Sequence, residues 1–320
     1  MDGPLYLPQY EELGPPEKTA LMQTLAERYG LLFKGLRTFS RWGRHCTTGL
    51  FEKAGRELVP GDTVTLGWER LAVGLGEADR AELEEVRDEY AYPGTLEELI
   101  REDMAPVRQV TIAPMLVSRQ LEEIGWEPVT FQDPRLLAHP DWLEDFRQHE
   151  RAGGGGLNLV GCARFDCLDG QWQPYLSYDM TYPQLRELLR GQGFSLPTAD
   201  EWAYLCGGGC RTLFPWGDGI DLDMHLRYFE DPEKKGTPYD MQEPNFFGLS
   251  IAYDPYKREV VEAETFTTCG GDGGCNLCGG MGPLMGFLSC SPHWKPEVHE
   301  DDMLDNDFDF CRPIIRVDTD

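Results

Sequence analysis

The sequence predicts an α+β protein built from short sheets, a few helices and much irregular coil. Apolar residues recur at helical spacing between Glu17 and Leu36, which predicts an amphipathic helix there. After the turn residues Pro60-Gly61-Asp62 the pattern changes to the alternation that is typical of a strand. The 320 residues also include 36 glycines and 23 prolines, a content that is high for a helical bundle and typical of a fold rich in turns.

Further elements follow along the chain. Residues 79–103 are charged and favour helix, and the Pro-Gly pair at 93–94 interrupts them. Thr95, followed three residues later by Glu98, has the spacing of a capping box, so a second helix is expected to begin there. The apolar positions of residues 106–116 predict a strand.

The middle of the chain predicts one more short helix and an open loop. The helix is expected from Thr181 to Arg190, and the side chains on its buried face are expected to be Tyr182, Leu185, Leu188 and Leu189. The run Gly153–Gly156 predicts a loop without a phosphate site, because it lacks the Lys-Ser/Thr ending of a P-loop. We expect an N-terminal helical segment over residues 1–45 and one main domain over residues 46–320.

The charge balance excludes several classes of partner. Lys and Arg number 29 against 56 Asp and Glu, a net charge of −27, so nucleic acid and anionic membranes are not expected partners. Neither a run of 18 apolar residues nor a secretory signal is found, so we expect a cytoplasmic protein. Residues 297–320 hold nine acidic and two basic residues, which favours a cationic peptide or a metal ion over an anionic ligand.

Ten cysteines make thiol chemistry the strongest functional indication. In a reducing compartment this number favours free thiols, a metal site or redox chemistry over a disulfide framework. Four of them fall within 22 residues, at Cys269, Cys275, Cys278 and Cys290. The candidate site is therefore this glycine-rich segment.

Two motifs carry a resemblance to a known family. Residues 196–204 read LPTADEWAY, and residues 214–218 read FPWGD. Together they resemble the LPTEAEWEYA … FPWGD signature of formylglycine-generating-enzyme-like domains, also called sulfatase-modifying-factor domains. The local chemistry agrees with the motif, because Thr198 can cap a helix and Glu201 can close its capping box.

Other segments resemble landmarks of the same family in the same order. They are residues 59–67, 106–112, 245–249, 270–272 and 309–316. The resemblance covers roughly residues 50–320. It implies the C-type-lectin-like architecture of the family, with short sheets, a few helices and long coil.

The resemblance also implies an active site. Family members that oxidise cysteine to formylglycine bind Cu(I) through two cysteines spaced C-x4-C, since Cu(I) prefers soft thiolates. Cys275 lies at the family's distance from the Gly-Gly pair at 270–271, whereas Cys278 gives a C-x2-C spacing. Asp272 stands where the family has serine, and Cys290 corresponds to an auxiliary cysteine of some relatives.

Two functions follow from this loop. The first is a copper- and thiolate-dependent oxidase that uses O2 on a peptidyl or small-molecule thiol, with Cys275 and Cys278 as catalytic ligands and Asp272 and Cys290 as auxiliary groups. The second is a non-catalytic module that binds a protein or small ligand, since a fold does not by itself decide function.

The same cysteines allow other chemistry. Cys275, Cys278, Cys290 and His293 form C-x2-C-x11-C-x2-H, a set that suits tetrahedral zinc. The C-x2-C pair also suits a redox disulfide. Finally, the thiols can be inert packing groups in a glycine-rich loop.

Calcium is the last alternative. By position, Glu262 corresponds to a calcium-ligating glutamate of the family. Asp305, Asp307 and Asp309 alternate like the first half of a calcium loop, but the following Gly and the distal Glu are absent, which predicts a solvated acidic turn. The histidines lack the spacing of the iron site of related sulfoxide synthases, and His299 is expected to be exposed.

Overall fold

The computed structural model describes residues 3–52, 55–70, 75–221, 223–229 and 231–318. Its α-helices are α1 (Gln9–Glu12), α2 (Pro15–Tyr29), α3 (Glu77–Glu89), α4 (Leu96–Arg101), α5 (Pro134–Leu137), α6 (Pro140–Arg151), α7 (Tyr182–Gly191), α8 (Ala199–Gly207), α9 (Gly273–Cys278) and α10 (Gly282–Phe287). Short 3₁₀ turns occupy Pro232–Lys234, Asp240–Gln242 and Leu288–Cys290.

The strands are mostly short. They are β1 (Leu32–Arg41), β2 (Arg44–Glu52), β3 (Arg56–Val59), β4 (Asp62–Leu66), β5 (Arg108–Ile112), β6 (Met115–Ser118), β7 (Glu122–Glu123), β8 (Trp126–Pro128), β9 (Gly156–Leu159), β10 (Ala163–Leu168), β11 (Gln171–Ser177), β12 (Arg258–Val261), β13 (Thr267–Cys269), β14 (Glu297–Val298), β15 (Asp309–Cys311) and β16 (Ile314–Arg316). The predicted α+β class is confirmed.

Within the described part of the chain the strands form four small sheets. The main sheet has the order β1-β2-β3-β6-β16, and a second sheet has the order β14-β13-β12-β15-β7. The third, β8-β11-β10-β9, carries α5 and α6 and has an apolar cluster of its own, and β4 and β5 form a separate pair. In the second sheet β12 runs antiparallel to β13 and parallel to β15, which fixes the start of the cysteine segment.

A buried ion pair joins the two five-stranded sheets. Arg312, which has no exposed surface, donates through Nε to Glu259 Oε2 at 3.0 Å. Its Nη1 donates to the Ser118 carbonyl at 2.7 Å, at the end of β6. Because removing one partner would leave a buried charge uncompensated, the loss of either side chain is expected to cost about 3–5 kcal/mol.

Helix α2 contacts the segment that follows β16. Arg28 Nη1 donates to the Asp318 carbonyl at 2.8 Å, and the Asp318 amide donates to the Tyr29 hydroxyl at 3.0 Å. α2 also packs on the β1–β2 hairpin, where a Cβ on Gly49 would lie 2.6 Å from the Met22 sulfur. The end of α2 therefore holds the segment that follows β16.

Capping chemistry places the helices as predicted. Thr95 accepts a hydrogen bond from the Glu98 amide at the start of α4, and Thr198 does the same with Glu201 at the start of α8. In α8, Trp202 is almost fully buried in the main core. These caps confirm the predicted helix starts, because a side-chain acceptor satisfies an amide that would otherwise lack a partner.

Three local predictions were wrong. The helix predicted over 17–36 ends at Tyr29, since Gly30 adopts φ 63° as its C-cap, and residues 32–41 form a strand. The strand predicted over 106–116 is two strands, β5 and β6, in different sheets. Leu188, which was expected on the buried face of α7, is 46% exposed.

The expected boundary between the N-terminal segment (residues 1–45) and the main domain (residues 46–320) falls inside β2. This strand pairs with β1 from Leu32↔Glu52 to Arg41↔Arg44. Among the described helices, none has the length and apolar character required to traverse a bilayer.

Candidate functional site at the cysteine loop

The loop begins directly after β13 with three residues in left-handed conformations. Gly270, Gly271 and Asp272 have φ values of 69°, 77° and 45°. A Cβ on Gly271 would lie 2.3 Å from Arg258 Cγ, so only glycine fits there. This tight turn redirects the chain from the second sheet into α9.

Close packing then holds α9 in place. A Cβ on Gly274 would lie 2.1 Å from Tyr256 Cε1, and one on Gly273 would lie 2.1 Å from the Gly286 carbonyl oxygen. α9 is therefore seated between the segment before β12 and helix α10. The glycines of this glycine-rich segment are therefore required for close contact.

Cys275 is exposed and paired with a carboxylate. Its Sγ lies 3.1 Å from Asp272 Oδ1 and 3.2 Å from Oδ2, so the thiol donates to Asp272. The hydrogen bond and the negative charge of Asp272 both raise the pKa of Cys275. The carboxylate therefore stabilises the protonated thiol.

Cys278 is also exposed and contacts a tyrosine. The hydroxyl of Tyr256 lies 3.2 Å from Cys278 Sγ, and this contact raises the pKa of Tyr256 to about 12. Tyr228 meets Tyr256 edge to face, with ring centroids 5.1 Å apart. Cys278 thus borders an aromatic surface.

A buried carboxylate supports these aromatic residues. Asp254 is 4% exposed and accepts from the Tyr256 amide at 3.1 Å and from the Tyr228 hydroxyl at 3.2 Å. Arg227 Nη1 lies 3.3 Å from the other oxygen of Asp254. Tyr228 has φ 72°, a conformation that is rare for a bulky residue and is held here by these contacts.

Sequence reasoning did not identify Asp254, Tyr256 or Tyr228. They lie before β12, at least 19 residues from the nearest of the two exposed cysteines, Cys275. No spacing motif links them to the loop, and Tyr256 meets it through the fold, at Gly274 and at Cys278 Sγ.

The other two predicted zinc ligands lie in the interior. Cys290 and His293 are each 2% exposed, whereas Cys275 and Cys278 are exposed. Among the side chains that the structure describes, no three Cys, His, Asp or Glu groups converge as metal ligands do. The four-ligand pattern of the sequence is divided between surface and core.

His293 has its own buried surroundings. Its Nε2 lies 2.9 Å from the Thr212 carbonyl and 3.9 Å from Cys210 Sγ. Burial lowers the pKa of His293 to about 4, so the ring is neutral and Nε2 donates to Thr212. Burial also raises the pKa of the Cys290 thiol.

The predicted calcium residues are committed to other contacts. Glu262 forms an ion pair with Arg186 through Oε1, so one of its two carboxylate oxygens already has a cationic partner. The solvated acidic turn was a wrong prediction for Asp309, because that residue is fully buried and accepts from Arg258 Nε at 2.7 Å. His299 is half-buried and stacks on Phe266, with ring centroids 4.3 Å apart, so its predicted exposure was also wrong.

Comparison with models of known protein families gives no match, and no curated protein has a significantly similar sequence.

Proposed function

We propose that the protein is a divergent formylglycine-generating-enzyme-like protein that oxidises a peptidyl or small-molecule thiol with O2. The lectin-like architecture of that family is part of the proposal, and the small sheets with long coil support it. The observation that carries the proposal is the pair of exposed thiols, Cys275 and Cys278, on one turn of α9. All ten cysteines are free thiols, which supports a reducing compartment such as the cytoplasm.

The residues of the loop fit a soft ion. Cys275 and Cys278 are spaced i and i+3 in a helix, so their side chains lie on one face and can converge on a single Cu(I). Both are exposed, so an ion and a substrate thiol can reach them. Bound copper would supply a site where dioxygen and the substrate thiol react.

Asp272 and Tyr256 position the two thiols. Asp272 holds the proton of Cys275 until a ligand displaces it, which makes ion binding stronger as the pH rises. Tyr256 fixes the Sγ of Cys278 at 3.2 Å from its hydroxyl. Asp272 beside Cys275 and the net charge of −27 favour a cationic or neutral peptide as substrate over an anionic one.

A second candidate function is a non-catalytic binding module on the same fold. The observation in its favour is the raised pKa of Cys275, because reactive cysteines have lowered pKa values. The exposed rings of Tyr228 and Phe229 beside the loop would then provide the contact surface.

Copper titration distinguishes the two functions. Purified protein is titrated with Cu(I) against a competing chelator, and the bound metal is measured. We expect about one equivalent in the wild type and none in the double variant Cys275→Ser/Cys278→Ser. The matched control is Cys162→Ser/Cys167→Ser, which removes two partly exposed thiols of the third sheet and should bind as the wild type does.

Two results would overturn the proposal of an oxidase. One is that the wild-type protein binds no Cu(I). The other is tightly bound zinc that is lost in His293→Gln, which would make the cysteines structural. If copper binds, O2 consumption with a thiol-containing peptide tests the oxidation itself, and a copper-loaded protein that consumes no O2 supports the binding module.

A further inference from the structure

One stretch of this acidic protein carries only positive charge. Residues 28–51 contain none of the 56 acidic residues of the chain, and the basic residues that they hold are Arg28, Lys34, Arg37, Arg41 and Arg44. The stretch covers β1, the turn and most of β2. Its position in the fold decides whether this charge is available to a partner.

β1 is the edge strand of the main sheet. Only β2 pairs with it among the described residues, so the backbone groups along its outer side have no strand partner there. Register is irregular between Phe33 and Gly35, and then runs one to one from Leu36↔Gly49 to Arg41↔Arg44. Six consecutive residues, 36–41, therefore offer a regular open edge.

The hairpin is held rigidly at its tip. Arg41 Nη1 donates to the Glu243 carbonyl at 2.6 Å, and Arg44 Nη1 donates to the Gly207 carbonyl at 2.8 Å. The Trp42 ring packs on Trp216, with centroids 5.3 Å apart. An incoming strand would thus meet a preorganised edge and would not have to order it.

The basic side chains on this edge differ in how they are paired with carboxylates. Lys34 forms an exposed ion pair with Glu52 at 2.6 Å, and the carboxylates of Glu243 and Asp240 lie near Arg41. Arg37 is exposed at the centre of the edge, and its guanidinium lies over the Phe39 ring. Glu57, a carboxylate on which the charge of Arg37 acts, is already paired with Arg119 at 2.7 Å.

We propose that the outer edge of β1 binds an extended acidic peptide by strand addition. Main-chain hydrogen bonds along residues 36–41 would supply affinity, as in other sheet-edge complexes, and Arg37 with its basic neighbours would select carboxylates. Basic residues on an edge also prevent pairing between copies of a protein. Both effects arise from the same charges. The basic residues of β1 repel those of a second β1 and attract an acidic strand.

The test uses a fluorescent peptide of alternating Glu and Val, eight residues long, with fluorescence anisotropy as the readout on the full-length protein. We expect saturable binding that weakens as salt is raised, because screening reduces the charge term. Arg37→Glu is expected to weaken binding by about tenfold, since it replaces the central attraction with repulsion. Arg147→Glu, the same change at an exposed site on α6, should leave binding unchanged.

Two control peptides separate strand addition from simple charge attraction. The first has N-methylated amides on alternate residues and should lose binding, because methylation removes the N–H donors along one edge of the extended peptide. The second replaces Glu with Lys and should not bind. Three results would each overturn the proposal. They are a control peptide that binds as tightly as the acidic peptide, an Arg147→Glu variant that loses as much affinity as Arg37→Glu, and an acidic peptide that does not bind. The proposal does not depend on the cysteine loop.

Discussion

The surface thiols and the buried thiols of this protein have opposite chemical surroundings although they are neighbours in sequence. Cys275 and Cys278 are exposed on α9, and polar side chains contact each sulfur. Cys290 follows twelve residues after Cys278 and is enclosed in the second core cluster. The difference shows that cysteine spacing alone does not define a site, because a shared ligand needs a shared environment.

The largest expected effect is on alkylation rates. In native protein, Cys275 and Cys278 should react with iodoacetamide about a thousandfold faster than Cys290, because a buried thiol reacts only after an opening that costs several kcal/mol. Mass spectrometry of peptides after timed quenching measures both rates. In denaturant the rates of all three cysteines should become similar. If Cys290 already reacted as fast as Cys275 and Cys278 in the native protein, the distinction between surface and buried thiols would be wrong.

The second effect concerns His293 and the stability of the buried region. The folded ring has a pKa of about 4, below its unfolded value, so the unfolded chain binds a proton that the folded chain does not as the pH falls below about 6.5. Between pH 7.5 and pH 5 the wild type should lose about 2 kcal/mol more unfolding free energy than His293→Gln. Urea denaturation at both pH values measures this, and parallel losses in the two proteins would contradict it.

The third effect separates Cys275 from an ordinary surface thiol. Asp272→Asn removes the charge that raises the pKa of Cys275, so its alkylation at pH 7.5 should become about three- to tenfold faster. The pH midpoint of the reaction should fall accordingly. Cys278 in the same sample serves as the reference, and an unchanged or slower rate at Cys275 would show that Asp272 does not control its proton.

The smallest effect is on the phenol of Tyr256. Cys278→Ala removes the contact that raises the pKa of Tyr256 to about 12, so that pKa should move towards 10, its ordinary value. Absorbance at 295 nm follows the titration, and the difference from Tyr256→Phe isolates this residue. No movement in Cys278→Ala would place the cause in burial and not in the sulfur.

Local chemistry was predictable from the sequence wherever it depends on neighbours along the chain. The capping boxes at Thr95 and Thr198 are of this kind, because each cap is complete within four residues. The strand at residues 32–36 was not predictable, since its apolar residues also fit the helical period of α2. Gly30 was the missed signal, because glycine commonly ends a helix in the left-handed conformation.

The candidate site was predictable only in part. Cys275 and Cys278 share one helical turn, so their proximity follows from spacing. Whether Cys290 and His293 join them depends on how α10 and the following 3₁₀ turn enter the core, which pairwise spacing does not encode. The same limit applies to Asp309, whose burial depends on Arg258 from a strand 51 residues earlier.

The position of β16 has a consequence for synthesis of the chain. The main sheet receives its last strand beside β6, and Arg312, which precedes that strand, reaches back 194 residues to the Ser118 carbonyl. Until residues 312–316 leave the ribosome, the edge of β6 away from β3 has no strand partner and the buried charge of Glu259 lacks its counterion Arg312. Such long-range closure slows folding, so the nascent protein should depend on chaperones that shield the open sheet edge until these residues have emerged.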